Sequence, residues 1–182
     1  SRMYFGDYPA FFIPGTAEVS ALEYPAFILL GLCAAAVAII FVRSVDWVEW
    51  GVRRFRVPKL VAIVAAGFSV GLIGLILPEV MGVGYEATES AIQAQYGFWL
   101  LVALLAAKMA ATALSLGGGF PGGVFSPSLF LGAMLGGAFG IVAAMPFPQH
   151  AAGAGAYTLV GMAAVSGAVL GAPISTVLML FE

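Results

Sequence analysis

Uncharged runs set the layout of this 182-residue chain. Residues 24–42 hold nineteen positions without Asp, Glu, Lys or Arg, residues 60–78 hold nineteen more, and residues 90–107 hold eighteen. A helix that crosses a bilayer core needs about 20 apolar residues, so each run is long enough to span. A fourth run, 109–181, has seventy-three residues with His150 as its single weakly ionisable position. Gly and Pro divide it at 117–127, 146–155 and 171–173. The predicted spans are therefore 24–42, 60–78, 90–116, 124–145, 155–170 and 173–182. The last two are short for a full crossing, which predicts broken or re-entrant helices. At membrane depth such segments are tolerated where they are buried in protein or line a cavity. The predicted fold class is all-α: a polytopic membrane helical bundle with tilted, broken and re-entrant helices, forming a single partial membrane domain over 1–182.

Composition agrees with the pattern. Hydrophobic residues make up 62% and charged residues 9%, with a mean hydropathy of +1.07. A soluble domain carries roughly 25% charged residues. These values exclude a disordered chain, a nucleic-acid binder and a secreted disulfide scaffold. The net charge of −2 decides nothing, but its distribution does. Five of the seven basic residues, Arg43, Arg53, Arg54, Arg56 and Lys59, fall between the first two spans. Asp7, Glu18 and Glu23 precede the first span, and Glu79, Glu86 and Glu89 follow the second. The positive-inside rule then makes 43–59 a cytoplasmic loop, with Trp47 and Trp50 in the aromatic belt. The expected location is the cell (inner) membrane, as a multi-pass integral protein in contact with the lipid bilayer. Cys33 lacks a partner for an internal disulfide and reads as a small buried hydrophobe. The chain opens at Ser1 without a signal-peptide pattern and stops at Glu182 directly after an apolar run, so it reads as a piece of a longer protein. Glycines recur at four-residue spacing (Gly67 and Gly71; Gly132, Gly136 and Gly140; Gly167 and Gly171). That spacing places them on one helix face, where backbones approach closely.

The segment with the most chemistry is the glycine loop Gly117-Gly118-Gly119-Phe120-Pro121-Gly122-Gly123, followed by Val124-Phe125-Ser126-Pro127. Pro127 fits the first turn of a helix, and the free N–H groups of that turn have no intrahelical acceptors. A helix start carries about half a positive charge. Behind side-chain-free glycines it can hold an anion by backbone N–H groups without a full cation, strongly enough for entry and weakly enough for exit. The other reading is a sharp turn between packed helices. Because no Gly-Lys-Ser/Thr ending is present, a nucleotide P-loop is disfavoured. Lys108, the only full charge between Glu89 and Glu182, either raises the potential along an anion path or snorkels to the interface.

Gly123-Val124-Phe125-Ser126-Pro127 resembles the GxFxP signature of the CLC family of chloride channels and chloride/proton antiporters. Neighbouring segments are similar in order: Pro121-Gly122-Gly123 before it, residues 131–140 and 156–164 after it, the Ala-Pro-led 171–182, and the connector 78–86. The resemblance implies half of an inverted-repeat membrane domain, the second half. It also implies chloride or a related small anion as substrate, with protons as a second substrate in exchangers, and a homodimer of the full-length protein. By the same resemblance, the amides of Val124 and Phe125 face the anion. Gly122 and Gly123 allow close approach, Ser126 and Pro127 shape the first turn, and Lys108 matches a basic position of the preceding helix. The family's gating glutamate, coordinating serine and coordinating tyrosine lie outside this sequence, and Glu182 is not the gating glutamate.

No cofactor or metal is expected, and chloride enters as substrate. An enzyme is disfavoured: Ser166-Gly167 has Ala164 where a rhomboid-like nucleophile turn needs glycine, and His150 precedes it in the wrong order. One His and one Cys cannot build a zinc site. The competing transport reading is another inverted-repeat carrier, for a different small anion or a neutral solute.

Overall fold

The computed structural model describes residues 24–145 and 154–181. Among them the regular elements are helical: α1 (Tyr24–Arg54), α2 (Lys59–Ile76), a 3-10 turn (Pro78–Val80), α3 (Tyr85–Ile92), α4 (Phe98–Gly117), α5 (Phe125–Ala144), α6 (Ala154–Leu170) and α7 (Pro173–Phe181). Four of them, α1, α2, α4 and α5, are long and apolar enough to cross a membrane. The two segments expected to be short are short: α6 has 17 residues and α7 has 9. His150 and Glu182 lie outside the described residues.

The bundle is organised around α5, whose most extensive packing is against α6. A methyl group added at Gly132 would run into the backbone of Gly161 and Met162, and one at Gly136 into that of Tyr157 and Thr158. The glycine face of α5 thus lies directly on the α6 backbone, the contact its spacing predicts. One core surrounds Leu101, Leu104, Phe130, Met134 and Met162, joining α3, α4, α5 and α6. A second joins α1 to α5 and α6 through Ala34, Phe41, Leu131 and Val165. Near the start of α6, Tyr157 stacks on Phe27 with ring centroids 5.0 Å apart.

Three sequence expectations change. First, 43–59 is not a loop, because α1 continues from the apolar run to Arg54. Its final turns are amphipathic: Val48 lies against Gly117 of α4, and Arg53 pairs with Glu49 one turn earlier. The helix stops where Arg56 takes a left-handed φ of 49°. There the Val57 N–H bonds back to the Val52 carbonyl and the Arg56 N–H to that of Arg53, at 3.1 Å each.

Second, the 90–116 segment is not one helix. It is cut between α3 and α4 by the same device, with Ala94 at φ 55°, the Gln95 N–H on the Ser90 carbonyl (2.9 Å) and the Ala94 N–H on that of Ala91 (3.1 Å). Third, Cys33 is exposed on the chain rather than buried. It sits on α1 between the exposed Leu32 and the buried Ala34.

Candidate functional site

The glycine run does two separate jobs. Gly117 and Gly118 are packing glycines: a methyl at Gly117 would strike Val48, and one at Gly118 would strike the Leu114 carbonyl and Ala66. They seat the end of α4 between α1 and α2. Gly119 then reverses the chain at φ 100°, a conformation that costs an L-residue about 1 kcal/mol or more. The Phe120 N–H bonds to the Ser115 carbonyl at 3.0 Å and the Gly119 N–H to that of Leu116 at 3.1 Å, closing α4.

Gly122 and Gly123 are different. Both are exposed. A methyl at Gly123 would meet nothing within 4 Å, and one at Gly122 would make ordinary contact with Leu116 at 3.4 Å. Packing within the chain does not demand glycine at either position.

The helix they lead into, α5, starts without a side-chain cap. The residue before it, Val124, is already near-helical (φ −92°, ψ −8°), and its carbonyl accepts the first bond, from the Ser128 N–H at 3.0 Å. Ser126 does not cap the helix. Its hydroxyl reaches across to the Val83 carbonyl at 3.3 Å. The Ser128 hydroxyl donates to the Phe125 carbonyl at 2.7 Å.

Lys108 points inward. It is only 6% exposed, and its Nζ donates to the Val80 and Gly82 carbonyls at 2.7 Å each. It also lies 5.0 Å from the centre of the Phe130 ring. No carboxylate pairs with it among the described residues. The head group therefore does not extend to the surface, as snorkelling would require. It ties the connector after α2 to the flank of α4. Gly84, at φ 83°, brings that connector against Phe130, where a methyl would overlap the ring. The role of the connector was missed in the sequence. Gly82 and Gly84 signalled a turn, but nothing local indicates that its carbonyls receive a lysine 26 and 28 residues away.

These parts line an open cavity of about 270 Å³. It brings together Lys108, Gly122, Gly123, Ser126 and Pro127 from the expected set, along with Ser115 and the Val80–Gly82 turn. Val124 and Phe125, expected to face the anion with their amides, are not among the residues that line it. Val124 packs against the cluster of Ala34, Phe41, Leu131 and Val165. Phe125 lines a separate small cleft with Val83, Tyr85 and Met162. In the chain the two stand between Gly123 and Ser126, both of which do line the Lys108 cavity. No cluster of three or more His, Cys, Asp or Glu side chains suited to a metal occurs among the described residues.

This arrangement, a side-chain-free loop, an uncapped apolar helix and an inward lysine, can be compared with known proteins. The sequence model of the voltage gated chloride channel family matches residues 1–182. The chain belongs to that family. It is 35% identical over its whole length to chloride channel protein CLC-f of Arabidopsis thaliana, of which it covers 25%. It is 33% identical to chloride channel protein CLC-e of the same plant, covering 28%. To the H(+)/Cl(-) exchange transporter ClcA of Salmonella agona it is 29% identical, covering 39%. The chain thus spans less than half the length of these curated relatives. Family membership and the four long apolar helices make it a multi-pass integral membrane protein of all-helical fold.

Proposed function

We propose that this chain forms one wall of the anion pathway in a CLC-type chloride transport protein, acting as a channel or as a chloride/proton antiporter. The reading rests on family membership together with one observation: the uncapped start of α5 and the two glycines free of packing duty border the same cavity as the buried Lys108.

The backbone N–H groups of Val124 and Phe125 supply the partial positive charge that holds the anion. Gly122 and Gly123 keep side chains out of its path. Pro127 has no N–H, which limits the donors in this turn to the residues before it. Lys108 adds a formal charge to the cavity wall, and its two carbonyl bonds offset part of it. Binding stays weak enough for release.

The full-length protein works as a homodimer in the cell (inner) membrane, with the basic end of α1 on the cytoplasmic side. Protons move as well if it is an exchanger.

The test uses the full-length protein in liposomes under a chloride gradient, with chloride efflux and external pH recorded together. Efflux coupled to proton movement establishes an antiporter. Efflux without it establishes a channel. Absence of chloride movement from folded protein overturns the proposal.

A further inference from the structure

The end of α1 carries a feature that lies outside the proposed anion site. Arg43, Trp47, Trp50 and Arg54 follow one another at spacings of four, three and four, so they share one face of the helix. All four are exposed, the indoles at 69% and 63%. Neither Arg43 nor Arg54 has a partner among the described residues, whereas Arg53, on a neighbouring face, is paired with Glu49. The same face continues backwards as an exposed apolar stripe through Ile39 and Leu32. With 31 residues, α1 is about 46 Å long, against a hydrocarbon core of about 30 Å. Its last three turns therefore reach beyond the core. The segment 43–59 holds five basic and two acidic residues, a net +3.

We infer that the Arg43–Trp47–Trp50–Arg54 face is a binding surface for an anionic phospholipid. The acyl chains lie along Leu32 and Ile39, and the indoles sit at the level of the glycerol and headgroup, where tryptophan is favoured. The guanidinium groups of Arg43 and Arg54 bracket the phosphate region, with the fork geometry that suits phosphate. Unbroken continuity with the apolar stripe favours a lipid over an acidic protein, which would have to dock against the bilayer surface itself.

The test uses the full-length protein in vesicles of phosphatidylcholine alone or with added phosphatidylglycerol. The lipid retained per protomer is counted by native mass spectrometry, and the unfolding temperature is measured in each vesicle. Wild type should retain phosphatidylglycerol and unfold at a higher temperature in its presence. Arg43→Gln and Arg54→Gln should each weaken that retention about fivefold, and Arg53→Gln should leave it intact. Arg54→Gln alone keeps four of the five basic residues, so insertion of the first two spans is preserved. Trp47→Leu with Trp50→Leu keeps every charge and should also lower retention.

Equal losses for Arg53→Gln and Arg54→Gln would overturn the inference in favour of diffuse charge. So would absence of retained phosphatidylglycerol in wild type, or the same stabilisation by inorganic phosphate in detergent.

Discussion

Helices α2 and α5 carry glycine pairs at the same spacing, Gly67 with Gly71 and Gly132 with Gly136, yet they meet different surroundings. On α5 the glycine face lies on the backbone of α6, and 56% of the apolar window of the helix is buried. On α2 a methyl at Gly71 would meet nothing within 4 Å, one at Gly67 would only touch Phe120, and 11% of the window is buried. Four-residue spacing permits a close approach. Whether a backbone arrives depends on what the rest of the chain presents. In α5 the approach also fixes the helix whose start borders the site, so packing and function share one element. The outward residues of α2, such as Phe68 and Leu75, face away from this chain entirely.

The largest effect expected from this contrast comes from valine at the glycines. Gly136→Val in the full-length protein should force α5 and α6 apart, at a cost above about 4 kcal/mol, the range reserved for severe lesions. Gly71→Val should be tolerated. Size-exclusion profiles of the two purified variants make the check, and equal behaviour would dissolve the distinction between the helices.

Next come two phenylalanines. Phe130 is 1% exposed under Lys108, and Phe68 is 75% exposed. Phe130→Ala should destabilise by about 3–4 kcal/mol and Phe68→Ala by less than about 1 kcal/mol, read as shifts in unfolding temperature. A matching loss at Phe68 would mean that other parts of the full-length protein cover that face.

A smaller loss is expected for Lys108→Met, about 2–3 kcal/mol, since it strips donors from two carbonyls. The variant should also slow chloride efflux from liposomes more than Lys108→Arg does. Unchanged efflux in a folded Lys108→Met protein would leave the lysine a structural tie alone.

The smallest changes test the left-handed helix ends. Gly119→Ala should cost about 1 kcal/mol, and Ala94→Gly should gain roughly 0.5–1 kcal/mol. Thermal denaturation in detergent would read both, and a loss on Ala94→Gly would contradict the strain assigned there.

Legibility in the sequence follows the reach of each signal. Long uncharged runs report membrane-length helices because burial in a bilayer depends on composition alone, and α2 and α5 match their expected limits closely. The end of α4 was legible because glycine occupies the left-handed position. The ends of α1 and α3 were not, because Arg56 and Ala94 take the same conformation without being residues that announce it. Neither break could be read from hydropathy, which is why 43–59 reads as a loop and 90–116 as one span. The direction of Lys108 was hidden for a related reason: its acceptors are backbone carbonyls, which every residue has.

The membrane class, the family, the position of the glycine loop and the helix it opens are all readable from the linear chain. All of these rest on local composition and contiguous motifs. Packing of the folded chain settled which glycines touch a neighbouring backbone, that Lys108 turns inward to the Val80–Gly82 turn, and that Ser126 and Pro127 rather than Val124 and Phe125 line the cavity. Those outcomes depend on groups far apart in the chain meeting in space, and on backbone atoms whose chemistry is identical at almost every position.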